Sequence, residues 1–158
     1  MKNVKYLVLD VDGTLTDGCV YMGETGELCK AFNIKDGYGI VHQARPAGIN
    51  AVIITGRTSN IVLNRCKELG ITEIHQGIGD KLGKLKEILD AAGDSLSDCA
   101  YMGDDLNDLE VMKAIKEAGG FVGCPADAAL GVINISDFVS TKDGGRGCVR
   151  DFIEWLVG

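Results

Sequence analysis

The apolar positions of the chain fall into two alternating kinds of segment. Short continuous apolar runs at 6–9, 51–55, 71–75, 99–102, 120–123 and 138–140 have the length and the glycine- or acid-bounded ends of buried strands. Between them the spacing turns helical. Leu82, Leu85, Ile88 and Leu89 share one face of a helix over 81–92, and helices are predicted over 106–118, 127–133 and 149–157. Asp36 is placed to cap a helix carrying Ile40, Val41 and Ala44, ending just before Pro46, with Gly48 closing the turn. Ser59 caps another with Ile61, Val62, Arg65 and Cys66, ending at Gly70. One stretch breaks the alternation: 20–22 and 28–32 flank Gly23-Glu-Thr-Gly26, the pattern of a hairpin. Strand–helix alternation predicts an α/β fold, a Rossmann-like doubly wound parallel sheet in one domain over 1–158, with a small β-hairpin flap at about 16–33. Ligands of such sheets bind at the carboxyl ends of strands, near a switch in strand order.

Composition narrows the function classes. A net charge of −7 leaves no basic surplus to neutralise nucleic-acid phosphates, and any anionic substrate must meet a local cluster of cations. No run of 18 apolar residues predicts a membrane span, and Asp10 and Asp12 interrupt the first apolar run too early for a signal peptide. The six cysteines are scattered without a C-x-x-C pair, several of them inside apolar runs, which predicts reduced thiols in a cytoplasmic protein.

The candidate chemistry sits at the predicted strand ends. The first strand runs into Asp10-Val-Asp-Gly-Thr14. If the strand continues, Asp10 and Asp12 project to one side. Such a pair repels by about 4 kcal/mol at an effective dielectric near 20, and needs a cation, a shared proton or a reaction. Gly103-Asp104-Asp105 follows another strand, with Asp108 one turn later. Asp105 and Asp108 fit an acidic capping box, which leaves Asp104 unexplained. Converging carboxylates make a hard-cation site suited to Mg²⁺, and no Cys/His cluster supports zinc. Thr55, with the Gly56 and Arg57 N–H groups, either holds phosphoryl oxygens or forms a plain helix-entry turn. Lys81 opens a helix, where the dipole disfavours a cation, a misfit that points to function. Together these residues read as a phosphoryl-transfer set: Asp10 as nucleophile, Asp12 as general acid then base, Mg²⁺ and Lys81 neutralising the phosphoryl group.

Asp10/Asp12, Thr55, Lys81 and Gly103-Asp104-Asp105 with Asp108 resemble, in order, the four motifs of the haloacid dehalogenase superfamily of aspartate-nucleophile phosphatases. The resemblance implies a metal held by the Asp10 side chain, the Asp12 backbone carbonyl and Asp104, with Asp105 and Asp108 supporting the lysine and the metal waters. A closer resemblance, on Asp17-Gly18, Phe32-Asn33-Ile-Lys-Asp36-Gly37, Ile54-Thr-Gly-Arg57, His75-Gln76-Gly77 and Gly144-Gly-Arg-Gly147, is to the 3-deoxy-D-manno-octulosonate 8-phosphate phosphatases. That family lacks a cap domain, and it forms homotetramers in which one subunit's hairpin covers a neighbour's site. Pro46 and Cys148 depart from its pattern without touching a motif residue.

A sugar acid phosphate carries a carboxylate besides its phosphate, so cations beyond Lys81 are needed. Arg57 follows the Thr55-Gly56 turn, and Arg146 lies in the glycine-rich 144–147 turn, read as flexible and able to bring Arg146 to its own or a neighbour's site. The family likeness adds Asn33 and Asp36 to the substrate-binding candidates. Alternatives are a phosphatase of a nine-carbon ulosonate or neuraminate 9-phosphate, a phospho-accepting signalling domain, and a noncatalytic regulatory subunit. A general acid two residues after Asp10 favours turnover over signalling, and no motif residue is missing.

Overall fold

The computed structural model describes residues 1–158. Six strands form one parallel sheet: β1 (Tyr6–Leu9), β4 (Asn50–Ile54), β5 (Glu73–His75), β6 (Cys99–Met102), β7 (Phe121–Cys124) and β8 (Phe138–Val139), in the order β5-β4-β1-β6-β7-β8. The chain starts in the middle, builds outward through β4 and β5, then returns to β6 on the other side of β1. Strand order therefore switches beside β1, and its neighbours are β4 and β6. The predicted hairpin is β2 (Tyr21–Gly23) and β3 (Gly26–Cys29), an antiparallel ribbon outside the sheet.

Alternation along the strands sorts side chains into two core layers. Leu7, Leu9, Ile53, Ala100 and Met102 pack against α1 (Ile34–Gly39), α2 (Asn60–Glu68) and α6 (Cys148–Val157). Val8, Val52, Ile54, Cys99 and Tyr101 face α3 (Lys81–Ala92), α4 (Leu109–Glu117) and α5 (Leu130–Ile135). Trp155 of α6 stacks on Phe152 with ring centroids 5.7 Å apart, in a cluster with Phe121 and Phe138. No helix is long and apolar enough to cross a membrane, and all six cysteines are free.

Three expectations change in detail. Asn33, rather than Asp36, caps α1, accepting the Lys35 N–H at 2.9 Å. Asp36 instead turns inward and accepts the Arg150 N–H at 2.9 Å, so it caps α6 across 114 residues of sequence. The helix does not stop before Pro46. It widens into a π-turn over Ile40–Ala44 and tightens into a 3₁₀ turn over Arg45–Ala47, where Pro46 falls in the first turn and its missing N–H is not needed. The 144–147 turn is pinned rather than flexible: Gly145 N–H donates to Thr14 O at 3.0 Å and Gly144 N–H to Asp127 at 3.0 Å. A Cβ at Gly144 would stand 1.9 Å from Gly13 O, so only glycine permits that approach. The Cys148 thiol donates to Thr14 O at 3.3 Å and so adds to the same seam.

Candidate active site

The three central strands end side by side, and the residues just beyond them are Asp10 after β1, Thr55 after β4 and Gly103-Asp104 after β6. Asp10 continues the Val8 side of its strand, toward the starts of α3 and α4. Lys81, the first residue of α3, meets it there. Lys81 Nζ lies 3.1 Å from Asp10 Oδ1 and 2.7 Å from Asp108 Oδ1, and all three side chains are buried. Asp108 is fully engaged. Its Oδ1 also accepts the Tyr101 hydroxyl at 2.7 Å, and its Oδ2 accepts the N–H groups of Asp104 at 3.0 Å and Asp105 at 3.3 Å. The capping box of Asp105 and Asp108 therefore exists, and Asp108 doubles as the anchor of Lys81. Asp105 is exposed and reaches neither Lys81 nor Asp10; its carboxylate accepts the N–H of Leu106.

The carboxylates of Asp10, Asp104 and Asp108 converge, with one oxygen of each within 4.8 Å of the others. Burial and the Asp108 charge push the Asp10 carboxyl up, against the pull of Lys81. Burial, with the charges of Asp10 and Asp108, pushes Asp104 up to about 8. For Lys81, burial draws the ammonium down, but the two aspartates outweigh it and hold it above its ordinary value. Oδ1 of Asp104 is buried with no hydrogen-bond partner. Three converging acids with one ammonium, which pairs with only two of them, and an orphaned oxygen fit a hard cation that would restore the charge balance. Gly13, at φ +88°, makes room for this arrangement, because a Cβ there would stand 1.9 Å from Asp104 Oδ2.

Asp12 is placed by a turn and not by continued strand alternation. The strand ends at Leu9 and the chain turns at once, with the N–H groups of Thr14, Leu15 and Thr16 all donating to Val11 O. The Asp12 carboxylate instead accepts from Lys30 Nζ at 2.5 Å, just past β3 of the hairpin. It still lines the same open cleft as Asp10, Thr55, Gly56, Arg57, Asp104 and Asn107. Lys30 also pairs with Glu27 at 3.0 Å, and Glu27 lies 3.6 Å from Arg57. Sequence reasoning missed Lys30 and Tyr101. The signal for Lys30 was a lone charge within Leu28-Cys-Lys-Ala-Phe32.

Thr55 is buried, and its hydroxyl makes no hydrogen bond within the chain. The helix after it begins only at Asn60, where Ser59 accepts the Ile61 N–H, so the helix end is already capped and stands three residues beyond Arg57. Arg57 is half exposed at the cleft. Arg146 is exposed and does not line the cleft, and it is close enough to Asp17 for its charge to help lower that carboxyl. Asn33 and Asp36 are not brought to the cleft. Both are taken up in helix capping, and Asp36 is buried against α6, its unpartnered second oxygen also inside the fold.

No family model matches the chain. Among characterised proteins it is similar to 3-deoxy-D-manno-octulosonate 8-phosphate phosphatase KdsC of Escherichia coli K12, with 42% identity over 156 residues, 99% of this chain and 80% of that protein. The protein of that name from Yersinia pestis is 39% identical over 155 residues, 98% of this chain and 80% of its own. Among solved structures it is similar to the same phosphatase from Moraxella catarrhalis in complex with magnesium, phosphate and KDO, at TM-score 0.91 and 40% identity, covering 98% of this chain and 86% of that one. The cobalt-bound Haemophilus influenzae phosphatase matches at TM-score 0.90 and 34% identity, covering 98% and 87%.

Proposed function

Because the chain belongs to the 3-deoxy-D-manno-octulosonate 8-phosphate phosphatase family of the haloacid dehalogenase superfamily, we propose that it hydrolyses this sugar acid phosphate to the free acid and inorganic phosphate. The observation that carries the reading is the buried Asp10–Lys81–Asp108 arrangement opening on a cleft that also holds Asp12, Thr55 and Arg57. A bound Mg²⁺, held by Asp10, Asp104 and the Asp12 backbone carbonyl, would supply positive charge against the phosphoryl oxygens.

The chain's own residues do the rest. An oxygen of Asp10 attacks phosphorus as the bond to the leaving sugar oxygen breaks, giving an acyl phosphate on Asp10. Asp12 passes its proton to that leaving oxygen. It then takes a proton from the water that attacks the acyl phosphate, which releases phosphate and restores both acids. Lys81 favours the ionised form of Asp10 and offsets charge on the phosphoryl group, while Asp108 and Tyr101 hold it there. The Thr55 hydroxyl, unpartnered within the chain, is available to a phosphoryl oxygen. Arg57 stands where it can meet the substrate carboxylate.

Lys30 and Glu27 at the hairpin's base pair with the cleft residues Asp12 and Arg57 of the same chain, while Met22 and Leu28 leave apolar surface exposed. We take this exposed apolar surface to be a contact between copies, and the assembly to be a homotetramer with hairpin and 144–147 turn near neighbouring sites. Free thiols, four of them buried, suit a cytoplasmic enzyme. A phosphate-release screen across sugar phosphates with Mg²⁺ tests the substrate. Preferred turnover of the eight-carbon acid 8-phosphate is expected, and preference for a nine-carbon 9-phosphate would redirect the reading. Sedimentation of an active monomer would rule out the shared assembly.

A further inference from the structure

Of the lysines that form ion pairs, only Lys81 and Lys30 are almost fully buried, their side chains 3% and 1% exposed. Lys81 belongs to the reacting group. Lys30 lies at the end of β3, with its Nζ between Asp12 Oδ1 at 2.5 Å and Glu27 Oε2 at 3.0 Å. It is not among the cleft-lining residues, and both its partners are acids, so it is not placed to meet an anionic substrate. It acts on Asp12.

We propose that Lys30 is a positioning residue for Asp12. Resting on the phosphatase reading above, it fixes one carboxylate oxygen of the general acid and turns the other toward the leaving group. Asp12 needs such a device because it lies beyond the end of β1, in a turn whose backbone hydrogen bonds do not orient its side chain. Oδ1 is taken by Lys30, and Oδ2 accepts no hydrogen bond from the chain and lies in the residue that faces the cleft. Glu27 holds the other side of the ammonium and also accepts the Ser59 hydroxyl at 3.4 Å, so the hairpin base and the start of α2 together set the depth of Lys30. The hairpin thereby contributes to proton transfer from within its own subunit, apart from any surface it offers a neighbour.

General-acid positioning has a signature that fold support lacks, namely dependence on the leaving group. Phenyl phosphate and p-nitrophenyl phosphate fill similar space, but only the phenolate of the first needs substantial protonation as it departs. In Lys30→Met with saturating Mg²⁺, kcat/KM for phenyl phosphate is expected to fall about tenfold or more further than for p-nitrophenyl phosphate. The ratio is read within one preparation, so a reduced folded fraction does not alter it. Lys30→Gln, which keeps a donor, should fall between Met and wild type. Glu24→Gln, which removes a carboxylate at the exposed tip of the same hairpin, should leave the ratio unchanged. Equal losses on both substrates in Lys30→Met and Lys30→Gln would overturn the inference and leave the phosphatase reading intact, as would a Glu24→Gln ratio shifted as far as that of Lys30→Met. Absence of Mg²⁺-dependent hydrolysis of both esters by the wild type would instead remove the reading on which it rests.

Discussion

The Tyr101 hydroxyl donates to the same Asp108 oxygen that receives Lys81, at 2.7 Å, from inside the sheet where Tyr101 has no exposed surface. Strand β6 thus holds Lys81, the partner of Asp10, through an intermediary. Tyr101→Phe removes that bond and leaves Asp108 with one fewer donor. Its expected cost is about 1–2 kcal/mol of stability, read from denaturant unfolding by the fluorescence of Trp155, the only tryptophan. Turnover should fall by less than the loss seen on replacing Lys81 itself, and an unchanged unfolding midpoint would count against the bond.

Asp104 carries the unpartnered oxygen of the carboxylate cluster. Mg²⁺ that binds only the folded protein stabilises it by mass action, by about 2.7 kcal/mol at a hundred times its Kd. The melting temperature of the wild type should therefore rise with Mg²⁺. Asp104→Asn should abolish the rise and, by relieving repulsion, melt no lower than the wild type in chelator. An undiminished Mg²⁺ shift in that variant would move the metal elsewhere.

Asp36 gives a pH signature remote from catalysis. Its Oδ2 is buried without a partner, and burial raises its carboxyl to about 6, above an unfolded value near 4. Between those values the folded protein keeps a proton that the unfolded chain has released, so this group's contribution to stability falls as pH rises from about 4 to about 6 and is level above that. Relative to wild type, Asp36→Asn should gain about 2 kcal/mol between pH 4.5 and pH 6.5. A difference independent of pH would mean that Asp36 is ordinary in the fold.

Arg57 is the cleft's exposed cation, 3.6 Å from Glu27. A charged hydrogen bond to a substrate carboxylate is worth roughly 1.5–3 kcal/mol, about ten- to a hundredfold in binding. Arg57→Ala should raise KM for the sugar acid phosphate by that order and change p-nitrophenyl phosphate hydrolysis little. Equal losses on both would assign Arg57 to the phosphate or the fold.

What was legible in the sequence was local. The strand over 99–102 and the helix over 81–92 appear with the bounds their patterning predicts, and Ser59 caps its helix as expected. Asp10, Thr55 and Asp104 were legible as a group because each ends a strand and the strands are parallel. What was missed is mostly of longer range. The period-two rule lapses where β1 ends at Leu9, and it could not show the bond between Asp12 and Lys30. Asp36 has an ordinary N-cap sequence around it, yet its hydrogen bond is to Arg150, far along the chain. The glycines at 144–147 read as freedom, whereas they serve close packing against the 13–17 loop. Lys30 was unremarked because a lone charge in a hairpin strand fits a lysine that faces solvent as well as one that folds under the ribbon onto an acid.

The central claim is that Asp10 is the nucleophile, and replacing its carboxylate tests it most directly. Asp10→Asn keeps the shape, and Trp155 fluorescence reports whether the fold persists. Phosphate release from 3-deoxy-D-manno-octulosonate 8-phosphate with saturating Mg²⁺ should fall by about four orders of magnitude or more in that folded variant, as expected when a covalent path is removed. Turnover within tenfold of the wild type would contradict the account.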